Sequence, residues 1–421
     1  MCSKQTLTER QSEFHLSQAS LIMNSSWRLI AMSPEQKKNK IPRVLAFFLN
    51  GCECGKFIGG AERRFFEISI QLKALGLQFF ALEYESLHSE RYGQVGYFPI
   101  KIKRRFANNS ILNCLRLSML GSFICMKNKC DIIYVTIMDS WMETSWAGLI
   151  APYLVSTICR KPLAIIFHHL EPRHLTDRNP LKLMAIRKST RIAVSKATAR
   201  DVRRYFNVKD VFIVGNGINR QLFDVKNNKS RKYDAAFHGR IAEDKGIFEL
   251  LRAWKIVVSK MPAARLLLVG GVDKALETEI SKTLTQLHME KSVFMTGFVT
   301  DRKLIQLLES SKIFVLPSRA EGFSLSVAEA MAIGLPCIVP DLPALKEFYS
   351  STAVFAEPRN IESFAQAIVS LLSNPEKCDE LREKGKKLVE QFSWSGAAAK
   401  EYDVLSHVSA SSARPCMFAQ A

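Results

Sequence analysis

Two carboxylates, Glu321 and Glu329, stand with seven residues between them in the run IFVLPSRAEGFSLSVAEAMAIGLPCIVPDLPALKE, residues 313–347. That spacing is too long for an i, i+4 surface pair. The apolar runs Ile313 to Leu316 and Cys337 to Val339 read as buried strands. Between them lies a loop of turn residues and then a helix. Ser324 or Ser326 is its cap, and Gly334 and Pro336 stop it. Strand, polar loop, helix and strand make a βαβ unit, whose loop-to-helix corner suits an anion. The backbone N–H groups of Gly322, Phe323, Ser324, Leu325 and Ser326 point between the two acids. One carboxylate can meet a group just outside the helix and the other a group lying along it. A phosphate flanked by two hydroxyl-bearing groups, as in a nucleoside diphosphate sugar, fits that arrangement. The spacing fits equally well with ordinary acids near the positive end of a helix.

Three more sets of residues sit where chemistry needs them. Arg240 and Lys245, in HGRIAEDKG with Gly239 and Gly246, follow the strand Asp234 to Phe237 and precede a helix. Two cations there would neutralise a leaving diphosphate as charge develops on its oxygens, or else form a solvated basic loop. His168 and His169 follow the strand Ala164 to Phe167, and the carboxyl end of a parallel strand is the ligand side of such a sheet. Gly59 and Gly60 lie between the strand Arg43 to Leu49 and the helix Ala61 to Leu75, where a backbone without side chains can approach a phosphate.

These motifs come in an order that resembles the retaining GT-B glycosyltransferases, family 4 above all. EGFSLSVAEAMAIGLPCIV resembles the family's E-x7-E signature. FIGGAERRFFEISIQLKALG resembles its first strand–loop–helix, IAVSKATARDV…VFIVGNGIN its last N-terminal strands and hinge, and Phe392-Ser393-Trp394 its closing motif. The likeness runs from about Arg43 to Tyr402. It implies an α/β GT-B fold of two facing Rossmann-like domains. Residues 41–226 would bind the acceptor and 227–394 the nucleotide-sugar, with a helix over 395–408 crossing back to the first. It also implies roles. Glu321 would touch the donor sugar hydroxyls and Glu329 the ribose, while Arg240 and Lys245 would hold the diphosphate. His168 would contact the donor sugar near the acceptor. Gly297, Phe298 and Val299 would cradle the nucleobase through the backbone. No metal is required, since the cations and the helix start near Ser324 neutralise the diphosphate, and no DxD is placed to hold a cation. His169 has no firm counterpart and is structural or acceptor-facing.

Length and charge bound the reading. The 421 residues, 47% apolar, hold two ordinary domains. The net charge is +19, unevenly placed: residues 1–226 carry 34 Lys and Arg against 17 Asp and Glu (+17), residues 227–421 carry 25 against 23 (+2). A one-sided excess points to an anionic partner. No helix-turn-helix, zinc-finger or RNA-binding aromatic motif supports nucleic acid. The basic run Lys101 to Arg105 (KIKRR) precedes the amphipathic stretch Ile111 to Met126. That stretch is either a core helix with a solvated basic end or a face for an anionic membrane surface. The longest uncharged apolar stretch, Thr144 to Cys159, holds Pro152 and is shorter than the roughly 20 residues a bilayer needs. Lys4, Glu9, Arg10 and Glu13 interrupt any leader.

The ten cysteines show no CxxC and no zinc spacing, with Cys52 and Cys54 the only close pair; a reducing compartment follows. A cytoplasmic protein, peripheral on the membrane, is expected. Residues 1–40 and 409–421 read as tails, and Pro172 to Arg187 as an irregular basic segment. The expected activity is transfer of a hexosyl group from a UDP- or GDP-sugar to a glycan or lipid-linked acceptor in cell-envelope polysaccharide or glycolipid synthesis. The alternative is a nucleotide-sugar epimerase or other non-transferase on the same scaffold.

Overall fold

A computed structural model describes residues 41–48, 59–84, 97–102, 111–137, 146–170, 179–219, 223 and 231–412. The expected tail at 1–40, residues 413–421 of the tail expected at 409–421, and the pair Cys52/Cys54 lie outside them. The described residues, all within the unit 41–421, are built on two parallel sheets.

The first sheet has strand order β3-β2-β1-β4-β5-β6-β7. Its strands are β1 (Arg43–Phe48), β2 (Gln78–Tyr84), β3 (Tyr97–Ile102), β4 (Ile132–Ile137), β5 (Leu163–Phe167), β6 (Thr190–Ala193) and β7 (Phe212–Ile213). The second has order β10-β9-β8-β11-β12-β13. It comprises β8 (Tyr233–His238), β9 (Leu266–Val269), β10 (Val293–Met295), β11 (Ser311–Val315), β12 (Cys337–Pro340) and β13 (Ala353–Ala356). Helices join the strands, so both faces of each sheet are covered. That is why RVLAFF, LAIIF and CIVP are continuous apolar runs and not alternating ones. In each sheet the chain moves outward on one side, then returns to the other side of its first strand. The switch falls between β1 and β4, and between β8 and β11. Ligands of open parallel sheets bind outside the strand carboxyl ends at such a point.

Three expectations are corrected and one strand is added. Lys101 pairs with Glu83 in β3, which among the described residues is an edge strand beside β2, while Lys103, Arg104 and Arg105 of the basic run lie outside the described residues. Pro99 is tolerated there because an edge strand needs fewer N–H donors. The segment read as irregular holds a helix, Pro180–Lys188, started by Pro at its first position and by Asn179, whose Oδ1 accepts from the N–H groups of Leu181 and Lys182. The helix Leu325–Ile333 has Ser324 at its cap position, but with φ 67° and no side-chain cap bond; its hydroxyl meets that of Ser326 at 3.2 Å. The final helix runs over Trp394–Ser412, past the expected end at 408.

That final helix returns to the first sheet and is fastened there by a buried polar knot. Arg64, in the helix Gly60–Ala74, gives Nη2–H to Glu401 Oε2 at 2.6 Å and Nε–H to Asn216 Oδ1 at 2.7 Å. Tyr134 of β4 donates to Glu401 Oε1 at 2.6 Å. Arg64 is 1% exposed and Glu401 0%. Burial, then Glu401, hold the Tyr134 phenol well above its ordinary pKa. The two halves also touch directly. Both oxygens of Glu347, in the helix Pro343–Tyr349, accept backbone N–H bonds of 2.9 Å from Lys196 and Ala197, which open the helix Lys196–Phe206.

Candidate active site

Several of the candidate residues gather at the carboxyl ends of β8 and β11. β8 ends at His238, followed by Gly239 and Arg240, then a single 3₁₀ turn, Glu243–Lys245. Gly246 takes φ 72° and starts the next helix with its Cα directly under the Pro317 carbonyl, where a Cβ would collide. This close fit brings Lys245 to the loop after β11. Lys245 Nζ lies 2.8 Å from Glu321 Oε1, and Ser318 Oγ donates to the same oxygen at 2.8 Å. Burial alone would pull the Lys245 ammonium down; Glu321 and then Asp244 outweigh it, so its pKa is raised and it is charged at neutral pH.

Arg240 stands apart from that pair. Its Nη2 meets Asp244 Oδ2 at 3.0 Å, and its side chain is 45% exposed. The two cations are therefore not equivalent: one is enclosed beside the acid, the other is at the rim.

Gly322 explains how the first half reaches this corner. Its backbone lies against the carbonyl of His168, at the end of β5, so closely that any Cβ would overlap that oxygen. His168 is buried, and among the described residues its Nε2 has no hydrogen-bond partner. Burial, then Arg64 and His169, push its pKa well below the usual imidazole value, so it is neutral. Gly60 faces Leu325 at ordinary contact, with its Cβ position 3.6 Å from the Leu325 side chain. Gly59 caps the helix Gly60–Ala74.

Glu329 lies inside the helix Leu325–Ile333 and is 3% exposed. Arg63, from the first half, meets its Oε1 at 2.6 Å, and His238 Nε2 is 3.7 Å from its Oε2. Sequence reasoning singled out neither Arg63 nor His238. The signal was present, since Arg63 opens the helix after Gly59-Gly60 and His238 directly precedes Gly239-Arg240, but their meeting depends on the tertiary fold.

The remaining residues fall into two sets. Phe323 is 2% exposed, with ring centroids 4.8 Å from Phe348 and 5.0 Å from Phe392. Its side chain is core, and only its backbone can serve a ligand. Gly297, Phe298 and Val299 follow β10 on the far side of β9. The Gly297 carbonyl accepts from Gly270 N–H at 3.1 Å, and Gly239 N–H donates to Val269 at 3.1 Å, so the three loops form one rim. Phe298 is half exposed on it. Among the described residues no three metal-ligating side chains converge.

Comparison with known proteins agrees with this geometry. The family model for glycosyltransferase family 4 matches residues 58–222, and that for glycosyl transferases group 1 matches residues 219–388. The MMP alpha-(1->4)-mannosyltransferase of Mycolicibacterium hassiacum is 28% identical over 50% of this chain and 52% of its own length. The GDP-mannose:cellobiosyl-diphosphopolyprenol alpha-mannosyltransferase of Xanthomonas oryzae is 23% identical over 55% and 64%. The chain thus spans about half to two thirds of the length of these curated relatives. HepE of Anabaena, solved with UDP and glucose, superposes with a TM-score of 0.70 at 17% identity, covering 87% of this chain and 99% of that one. The matched models, in tandem from 58 to 388, and the GT-B architecture place the chain in the family of group 1, family 4-like glycosyltransferases.

Proposed function

We propose that the chain transfers a hexosyl group from a UDP- or GDP-sugar to a glycan or lipid-linked acceptor, with retention of anomeric configuration. The observation that carries this reading is the Lys245–Glu321 pair at the β8/β11 switch point, with the His168 strand end closed over it. In this reading Lys245 and, from the rim, Arg240 take the diphosphate oxygens as the sugar–phosphate bond breaks, together with the N–H groups from Gly322 to Ser326. Glu321 turns to the sugar hydroxyls, neutral His168 faces the sugar, and Glu329 takes the ribose. The base rests on the Gly297–Val299 rim. The charge on these groups makes a metal unnecessary. The Xanthomonas relative, named for a polyprenol-linked acceptor, supports an acceptor of that kind here.

The test is incubation with UDP- and GDP-sugars and a polyprenyl-diphosphate glycan extract, with and without chelator. Expected are released nucleoside diphosphate, unaffected by chelator, and a product of unchanged anomeric configuration by NMR. Conversion of the donor to its epimer without acceptor would instead identify an epimerase, and an inverted product would refute retention.

The acceptor side also offers a surface. The helix Ile111–Lys127 buries Cys114, Leu117, Ile124 and Cys125 against the sheet. Gly121 lets it sit tightly there: a Cβ would press on the Phe47 ring at 2.8 Å and on Val155 at 2.9 Å. The opposite face is apolar too. Ile111, Leu112, Leu115, Met119, Phe123 and Met126 are all at least half exposed, with Met119 at 73%. Arg116 and Lys127 are exposed along that face, and Ile158 is exposed on the helix Ala151–Cys159 packed beside it. The two sequence readings, core helix and membrane face, thus apply to opposite sides of one helix. Among the described residues no helix is long and apolar enough to cross a membrane. We infer peripheral docking on an anionic leaflet, with the apolar stripe dipping in and the basic residues at the head groups. Expected is sedimentation with anionic vesicles at low salt, released by high salt and lost in Met119→Ser/Phe123→Ser, while turnover on a water-soluble acceptor is unchanged. No binding to fully anionic vesicles at low salt would leave a soluble acceptor.

A further inference from the structure

Glu329 is a carboxylate taken out of water, and such a group needs a counter-charge. The groups facing it come from four elements. The helix Gly60–Ala74 contributes Arg63 and Glu67, β8 contributes His238, the helix Asp301–Glu309 contributes Asp301, and the helix Pro343–Tyr349 contributes Tyr349. Glu67 and Asp301 are themselves acidic and repel it. His238 stands 3.7 Å away but is uncharged near neutral pH: burial, then Arg63, lower it to about 4. Among the described residues Arg63 is the charged cation in contact, at 2.6 Å and with its side chain 16% exposed. It belongs to the other half, on the helix that follows β1.

We propose that Arg63 is a positioning residue for the donor: from the acceptor half it supplies the counter-charge that aims the Glu329 carboxylate at the nucleotide ribose. The acceptor half thereby contributes to nucleotide affinity without touching the reacting atoms. This rests on the reading of Glu329 as the ribose ligand. Two consequences separate it from a merely structural role. Discrimination between ribose and a sugar lacking its hydroxyls depends on Arg63. So does pH. The Glu329 carboxyl is already raised by burial, with Arg63 opposing that shift. Without Arg63 the proton is taken up at higher pH, and affinity falls as the medium is acidified from neutral.

The experiment is calorimetric titration of the full chain with UDP, GDP and their 2′,3′-dideoxy analogues between pH 5.5 and 8, alongside donor kinetics. Arg63→Ala should weaken the better-bound diphosphate about tenfold at pH 7, the weight of one charge-assisted hydrogen bond. It should raise the donor KM with little change in kcat, narrow the ribose-over-dideoxy preference, and lose affinity further toward pH 5.5. Arg63→Lys should recover most of the affinity. Combined with Glu329→Gln, Arg63→Ala should add little beyond Glu329→Gln alone. Unchanged or tighter binding in Arg63→Ala, or losses that add in full while Glu329→Gln weakens binding, would overturn the role of Arg63. Wild-type binding in Glu329→Gln would overturn the ribose reading itself.

Discussion

Lys245→Ala is expected to lower turnover at saturating donor about 10²-fold or more, the equivalent of roughly 2–4 kcal/mol of lost transition-state stabilisation. The reason is local. Lys245 ends the 3₁₀ turn, is held charged by Glu321 and Asp244, and lies 2.8 Å from Glu321. A leaving diphosphate placed there meets a cation that needs no reorganisation. Removing it also leaves the Glu321 carboxylate with the Ser318 hydroxyl but without its cation. Glu321→Ala is expected to cost turnover on the same scale, since it removes the other half of the pair. Arg240→Ala should cost less, about tenfold, because Arg240 sits at the rim, pairs with Asp244 and is well solvated. Steady-state kinetics of the three variants against wild type check this order. Equal losses for Arg240 and Lys245 would mean that the rim arginine moves inward with the donor. Activity retained in Lys245→Ala but abolished by chelator would assign the diphosphate to a metal.

The second large effect is on stability. Glu401→Ala should destabilise the protein by about 3–5 kcal/mol, because it leaves the Arg64 guanidinium buried without a countercharge and the Tyr134 hydroxyl without an acceptor. That is a large part of the roughly 5–15 kcal/mol that holds a typical domain together. Tyr134→Phe, which removes one neutral donor, should cost about 1 kcal/mol. Urea unfolding of both variants, with limited proteolysis of the segment 394–412, measures the difference. A Glu401→Ala protein as stable as Tyr134→Phe would show that water enters and solvates Arg64.

Much of this was legible in the sequence because parallel strands covered on both faces are unbroken apolar runs. β1, β5, β9 and β12 stand out for that reason, and motif glycines mark the turns before the helix Gly60–Ala74 and after β8. What was missed has physical causes. β3 contains Pro99 and Lys101, which an edge strand tolerates and a central one would not. The helix Pro180–Lys188 announces itself by an Asn-Pro start, but its basic composition pointed to a solvated loop. Ser324 has the right residue type for a cap and the wrong backbone angle, which composition cannot show. In the site, Glu321 and Lys245 were legible through their neighbours in sequence. The partners of Glu329 were not, since Arg63 lies on a helix packed on the first sheet and His238 at the end of β8. Phe323 was placed in the site by its position, although packing turns its ring into the core.

The knot at Glu401 also sets the order in which the chain is finished. Arg64 and Glu401 are 337 positions apart in sequence. At a synthesis rate of about 5–20 residues per second, roughly 15–70 s pass between the emergence of one and of the other. Once β7 has emerged, the first sheet has its described strands but still lacks the helix that covers Arg64 and Tyr134. The half made first is therefore completed last, after the second half has already had time to fold. Ribosome-bound chains halted before residue 394 should stay open to protease in the first half. Chains carried past 412 on a linker that clears the ribosome should resist it; protection already present in the shorter chains would show that the first half closes without its final helix.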